Sequence, residues 1–187
     1  MRHTMTPDPV PFIQSRYAAV HGATAPVGYS RFMSRMRSAQ QGAALGFRRA
    51  SEGRLFLESY LDAPVEKLLA ERLNWQVERA RIVEIGSLAA NSPQELIRLW
   101  CCAAHALVQE SDVGIAVLTR RLRVMLRKVG ITLHELAPAL PGRVSSAGGA
   151  WGTYYTNDPV VCAGQLADAR RQLARFMSRR RKAGSCA

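Results

Sequence analysis

The chain has 187 residues, 48% of them hydrophobic, which suffices for one core and makes a single domain the default. Its 26 Lys and Arg against 14 Asp and Glu give a formal charge of +12, which favours an acidic partner. No apolar run reaches the roughly 18 residues of a membrane span, and no apolar stretch follows the Pro-interrupted amino-terminal residues as a signal peptide requires. The expectation is a cytoplasmic protein whose Cys101, Cys102, Cys162 and Cys186, with neither disulfide nor CxxC spacing, are free thiols and hold no metal.

In chain order, residues 1–11 read as disordered, 12–182 as one domain and 183–187 as a tail. Phe12 to Val20 has the apolar content of a short helix, and His21 to Gly28 is a Gly/Pro-rich connection. Tyr29 to Arg37 and Ala43 to Arg48 are expected to pair as a hairpin across Gln40-Gln41-Gly42. Leu55 to Leu73 carries helical spacing, broken at Pro64, where a second helix starts with Asp62 or Ala63 as its cap. Ile82 to Ala89 has the composition of a buried strand. Ser92-Pro93-Gln94-Glu95 then opens a helix, with Ser92 as N-cap, Pro93 at the first position and Glu95 three residues after the cap.

That helix is expected to run to about Glu110, followed by a strand from Val113 to Thr119, a helix from Arg120 to Val129 stopped by Gly130, and a strand from Ile131 to Leu136. Beyond the turn-rich stretch from Pro138 to Gly149, Trp151 to Tyr155 and Pro159 to Ala163 read as short strands, and Gln165 to Arg181 as a basic amphipathic helix.

Three separated segments carry a resemblance: Leu55-Phe56-Leu57-Glu58-Ser59-Tyr60-Leu61-Asp62-Ala63-Pro64, then Ile82-Val83-Glu84-Ile85-Gly86-Ser87-Leu88-Ala89, then Trp151-Gly152-Thr153-Tyr154-Tyr155 with Pro159 and Val160. In order and spacing, over roughly residues 43–164, they resemble the thermostable hemolysin family. That family looks like a branch of the GNAT acyltransferases, related to acyl-homoserine-lactone synthases and long-chain N-acyl amino acid synthases. The resemblance implies an α/β fold with a mixed, mostly antiparallel central sheet flanked by helices. It also implies an activity: transfer of an acyl group from acyl carrier protein or a coenzyme A thioester to the amine of a small molecule.

On that reading Glu84 is the general base, a strand carboxylate whose pKa partial burial lifts; the plain alternative is a Glu held structurally by Arg81 or Arg98. A Gln at position 84 is expected to keep the shape and remove the base. Ser87 stands where the family usually has Asn, and its hydroxyl offers one hydrogen bond toward a developing oxyanion. Trp151, Tyr154, Tyr155 and Thr119 are assigned to the substrate pocket, with core packing as the alternative for the three aromatics.

No cofactor is expected to be bound permanently; the acyl thioester is a substrate. The helix opening at Ser92 has no Gly-rich turn, Pro93 lacks an N–H, and Glu95 brings a negative charge, all of which weaken a coenzyme A pyrophosphate site there. Acyl carrier protein, an acidic partner, is therefore preferred as donor, docking on Arg120, Arg121, Arg127 and Lys128. Cys101 and His105, spaced i,i+4, are read as structural. His134 is read as a surface histidine. A membrane-active protein working through the basic helix of residues 165–182, with peripheral lipid contact, is the second reading, and nucleic-acid binding the last, because no binding motif accompanies the charge.

Overall fold

The computed structural model describes residues 7–144 and 149–184, with side chains as far as Arg180. Part of the expected N-terminal disorder, part of the turn before Gly149, Cys186 and the end of the tail lie outside the described residues. The first helix, α1 (Pro9–His21), starts earlier than its apolar content suggests, because the Asp8 carboxylate accepts a hydrogen bond from the Val10 N–H at 3.0 Å and the prolines fit a first turn. At the other end, α5 (Leu166–Gly184) takes in the first residues of the expected tail.

Six strands form one sheet: β1 (Arg31–Ser38), β2 (Gln41–Arg49), β3 (Ile82–Ala90), β4 (Val113–Leu118), β5 (His134–Pro138) and β6 (Val160–Gln165), in spatial order β1-β2-β3-β4-β6-β5. Every neighbouring pair is antiparallel except β3 and β4. The expected hairpin is β1–β2. Helices α3 (Pro93–Leu107), α4 (Arg120–Lys128) and α5 cover one face of the sheet. Helices α1 and α2 (Val65–Leu73) cover the other. Alternation along β3 explains the two layers. Val83 and Ile85 join the core beneath α3 and α5, whereas Ile82 joins Leu57, Leu69, Val113 and Ile115 beneath α2.

The Ser92 cap is observed: its hydroxyl accepts the Glu95 N–H at 3.2 Å, and Pro93 is the first residue of α3. Four expectations give way. Residues Phe56–Tyr60 form a 3₁₀ turn instead of an α-helix, and Pro64 is itself the cap residue of α2, in an extended conformation. Trp151 to Tyr155 is not a strand; Gly149–Trp151 and Tyr154–Asn157 are 3₁₀ turns anchored on the C-terminal end of α1, where the Thr153 N–H donates to His21 O at 2.8 Å. The strand expected from Ile131 begins only at His134, because Ile131 is drawn into the α3–α5 core.

Two features of β3 set up the site. Its parallel pairing with β4 covers only Ile82 to Ile85, so the two strands part beyond Ala116. Its pairing with β2 slips by one residue between Gly46–Gly86 and Ala44–Ala89, a bulge in which Ser87 has φ +49°, in the left-handed region. Asn is among the few non-glycine residues that tolerate this region well, and Ser87 fits it less easily.

Candidate active site

Where β3 and β4 part lies a cavity of about 950 Å³, lined from both sides of the sheet. On the α1/α2 side it meets Tyr17, Tyr29, Arg48, Tyr60, Glu84 and Tyr154; on the α3/α4/α5 side it meets Leu96, Leu122, Met125, Val129 and Phe176. Glu84, 1% exposed, is the one acid in this lining among the described residues, against Arg16, Arg48, Arg54, Arg121 and Lys128.

The Glu84 carboxylate is held on both oxygens. Oε1 accepts the Leu57 N–H and Oε2 the Phe56 N–H, each at 3.0 Å, and the Tyr29 hydroxyl lies near enough to favour the charged carboxylate. Burial pushes the pKa of Glu84 up; the two amides, the Tyr29 hydroxyl and the positive charge of Arg48 only partly offset it. Neither arginine expected as a structural partner reaches Glu84, since Arg81 pairs with Asp112 at 2.6 Å and Arg98 is exposed on α3. The partners are backbone amides instead.

The 3₁₀ turn that supplies them is fixed from behind. Buried Glu58 accepts the N–H groups of Leu55 (2.9 Å) and Val65 (3.1 Å) and a bidentate grip from Arg79 at 2.7 and 2.9 Å. Arg79 also bonds Glu66 and the carbonyls of Ala50 and Gly53. Burial opposes the charge of Glu58, but these bonds outweigh it and hold the pKa below the usual value. Two residues of the segment Leu55 to Pro64 thus have a reason: Glu58 fastens the turn that holds Glu84, and the Tyr60 hydroxyl meets that of Tyr155 at 2.8 Å.

Tyr29, absent from the residues expected at the site, lies flat over β2 and β3. A Cβ at Gly46 would stand 2.6 Å from the Tyr29 ring, and one at Gly86 would stand 2.7 Å from Tyr29 Cζ and closer still to its hydroxyl. The two bare backbones admit the ring whose hydroxyl neighbours Glu84. A tyrosine in a weakly alternating strand gives no sign of this; Gly86 inside an apolar strand was the available signal.

Of the residues expected at the site, Glu84, Ser87, Thr119, Trp151 and Tyr154 line the cavity. Tyr155 does not; its hydroxyl meets that of Tyr60. Trp151 and Tyr154 belong to an aromatic wall with Tyr17, His21 and Phe56, at ring separations of 5.3 to 6.4 Å. Burial raises the pKa of Tyr17 to about 12 and lowers that of His21. Arg121 and Lys128 stand at the cavity, Arg120 is exposed beside it, and Arg127 is paired with Glu135 at 2.7 Å. Arg123, on the same helix, is buried at 6% exposure, donating to Leu118 O (2.8 Å) and to Asp158. Burial raises the pKa of Cys101, the opposite of an activated thiolate, and His105 is exposed. His134 packs edge-on against Trp75 at 4.9 Å. Among the described residues no cluster of metal-ligating side chains occurs, and no helix is long and apolar enough to cross a membrane.

The fold is similar to that of several synthases of known structure. The chain aligns with apo TofI at 16% identity (TM-score 0.57, 88% of each chain) and with TofI in a ternary complex with an inhibitor and MTA at 18% (0.53, 80% of this chain and 74% of that one). It aligns with FeeM, an N-acyl amino acid synthase from uncultured soil microbes, at 15% (0.56, 87% and 91%), and with MesI, a CoA-dependent acyl-homoserine lactone synthase, at 16% (0.53, 88% and 85%). Residues 3–170 match the thermostable hemolysin family model, and the chain belongs to that family. No curated protein matches it.

Proposed function

We propose that the protein is an N-acyltransferase that moves an acyl group from a thioester to the amine of a small molecule. The observation that carries this reading is a cavity lined from both faces of the sheet, with a pKa-raised carboxylate on one side and an apolar wall with cations at its edge on the other. Beyond Ile85 the edge of β3 has no partner strand in β4, so Gly86 to Ala90 offer backbone groups to an extended thioester arm, while Leu96, Leu122, Met125 and Phe176 surround the acyl chain.

The amine nitrogen attacks the thioester carbonyl, the C–N bond forms and the C–S bond breaks. The proton lost by the amine passes to Glu84, directly or through the Tyr29 hydroxyl, and on to the leaving thiolate. Ser87, at the bulge, donates its hydroxyl hydrogen bond to the carbonyl oxygen as it becomes negative. The enzymes of like fold support the class of reaction, and no resident cofactor enters it.

Acyl carrier protein is the preferred donor. The N-terminus of α3, where a pyrophosphate would sit, is occupied by the Ser92 cap and Pro93 and carries Glu95, whereas Arg120, Arg121 and Lys128 face outward on α4. Coenzyme A is the alternative, as in CoA-dependent MesI. The membrane-active reading is weaker, since Leu166, Ala169 and Leu173 of α5 are buried against the sheet and α3, with Phe176 and Met177 packed on the same core, and are not free for lipid.

The test is mass spectrometry of lipid extracts from cells expressing the wild-type chain or a cavity-blocked variant, Val117→Trp. A new N-acyl product in the wild type alone identifies chain and acceptor. Identical extracts, with both proteins folded, contradict the proposal.

A further inference from the structure

Helix α5 carries one apolar stripe, Leu166, Ala169, Leu173, Phe176 and Met177, at the spacing of a helix face laid on a core. The first three members are buried. Phe176 is half-buried, because a turn further along the helix it has reached the edge of that core. Among the described residues it is the one aromatic on the α3/α4/α5 side of the cavity, where the neighbouring apolar residues, Leu96, Ile97, Leu122, Met125 and Val129, are aliphatic. A second, smaller cavity of about 130 Å³ lies against the same residue, lined by Arg127, Gln172, Arg175 and Arg179. Phe176, Lys128 and Val129 line both spaces and so form the partition between them. One side of that partition is apolar and the other basic. The Arg180 guanidinium stands over the Phe176 ring, 5.7 Å from its centroid, which favours the orientation in which the ring closes the partition.

We infer that Phe176 is the end wall of the acyl branch and sets the longest chain the protein accepts. A methylene that stays short of the ring is buried among aliphatic side chains and adds affinity. One that goes past it must displace the ring or enter the space among Arg127, Arg175 and Arg179, where it gains little apolar burial and strips water from cations. The donor is therefore an acyl group of bounded length, and the bound is one side chain. The inference rests on the acyl-transfer reading and names what limits its donor.

The experiment measures binding of acyl-pantetheine thioesters of even chain length, from octanoyl to palmitoyl, to the purified full-length protein by calorimetry. Lipid extracts of cells expressing the same proteins are read in parallel by mass spectrometry. In the wild type, affinity should rise about tenfold for every two carbons and then stop rising at a definite length. In Phe176→Ala the rise should continue for at least about two further carbons, with shorter chains changed by less than about threefold, because the removed ring leaves room for them. In Phe176→Trp it should stop earlier, and the N-acyl products in the extracts should shift the same way. Should Phe176→Ala fail to fold, Phe176→Leu, which removes the ring and keeps an apolar contact, carries the comparison. The same limit in wild type and variants, or an equal weakening at every length, overturns the inference and leaves acyl transfer standing. A limit that moves with residue 176 while no extract contains an amide keeps the chain-length wall and overturns acyl transfer.

Discussion

Arg79 grips Glu58 through two parallel bonds, at 2.7 and 2.9 Å, from a position behind the turn that presents the Phe56 and Leu57 amides to Glu84. Glu58 is 6% exposed, so removing its partner strands a buried carboxylate. Arg79→Met is expected to cost about 2 kcal/mol, below the range for a fully buried pair because the Arg79 side chain is 28% exposed. The check is a denaturant titration.

The pH dependence has a definite sign. Glu58 has a folded pKa below its unfolded one, so its contribution is present above the unfolded value and is lost as pH falls through the depressed folded value. In Arg79→Met the burial of Glu58 is no longer offset by the arginine, and acid unfolding should begin at higher pH than in the wild type. Coincident acid transitions would contradict this.

Gly86 and Tyr29 should behave as a coupled pair. Gly86→Ala puts a methyl group against the Tyr29 hydroxyl and ring, with an expected loss of about 1–3 kcal/mol from overpacking. With Tyr29→Ala in the background, the same substitution should cost much less, a coupling of about 1 kcal/mol or more. Additive losses in a double-mutant cycle would mean that the ring does not rest on Gly86.

Charge reversal on α4 separates docking from structure. Arg121→Glu with Lys128→Glu should raise the KM for an acyl carrier protein donor about tenfold at low salt, an effect that added salt reproduces in the wild type. A small acyl thioester should be less affected. Arg127→Glu is a poor probe because it breaks the pair with Glu135. Equal sensitivity toward small donors would argue against a docking face.

Much of this architecture was legible because it is locally encoded. Ser92-Pro93-Gln94-Glu95 contains its own cap, and Val113 to Leu118 is apolar on both faces because both faces of β4 are covered. The 3₁₀ turns at residues 56–60 and 149–157 were misread because their geometry comes from distant partners: Glu84 and Arg79 for the first, His21 for the second. Glu84 was legible through its strand signature. Tyr29 and Arg48 were not, since a phenol and a guanidinium 55 and 36 positions before Glu84 come beside it only through strand pairing.

The geometry also revises how Glu84 is to be tested. The expectation that Glu84→Gln keeps the shape does not suit a carboxylate accepting a backbone N–H on each oxygen, because a glutamine must turn its NH₂ toward one of them. That mismatch is expected to cost about 1–3 kcal/mol and to loosen the turn, so lost activity in that variant would not by itself identify a base.

The most direct measurement is therefore kcat/KM against pH in the wild type and in Tyr29→Phe, which removes the hydroxyl and keeps the ring over its glycines. If Glu84 accepts the proton, activity rises with pH along a limb above the ordinary glutamate range of about 4.3, because burial raises its pKa. In Tyr29→Phe the limb moves higher, since the Tyr29 hydroxyl favours the charged carboxylate. A limb at the same pH in both proteins, or a profile with no acid limb, would contradict the assignment of Glu84 as the base.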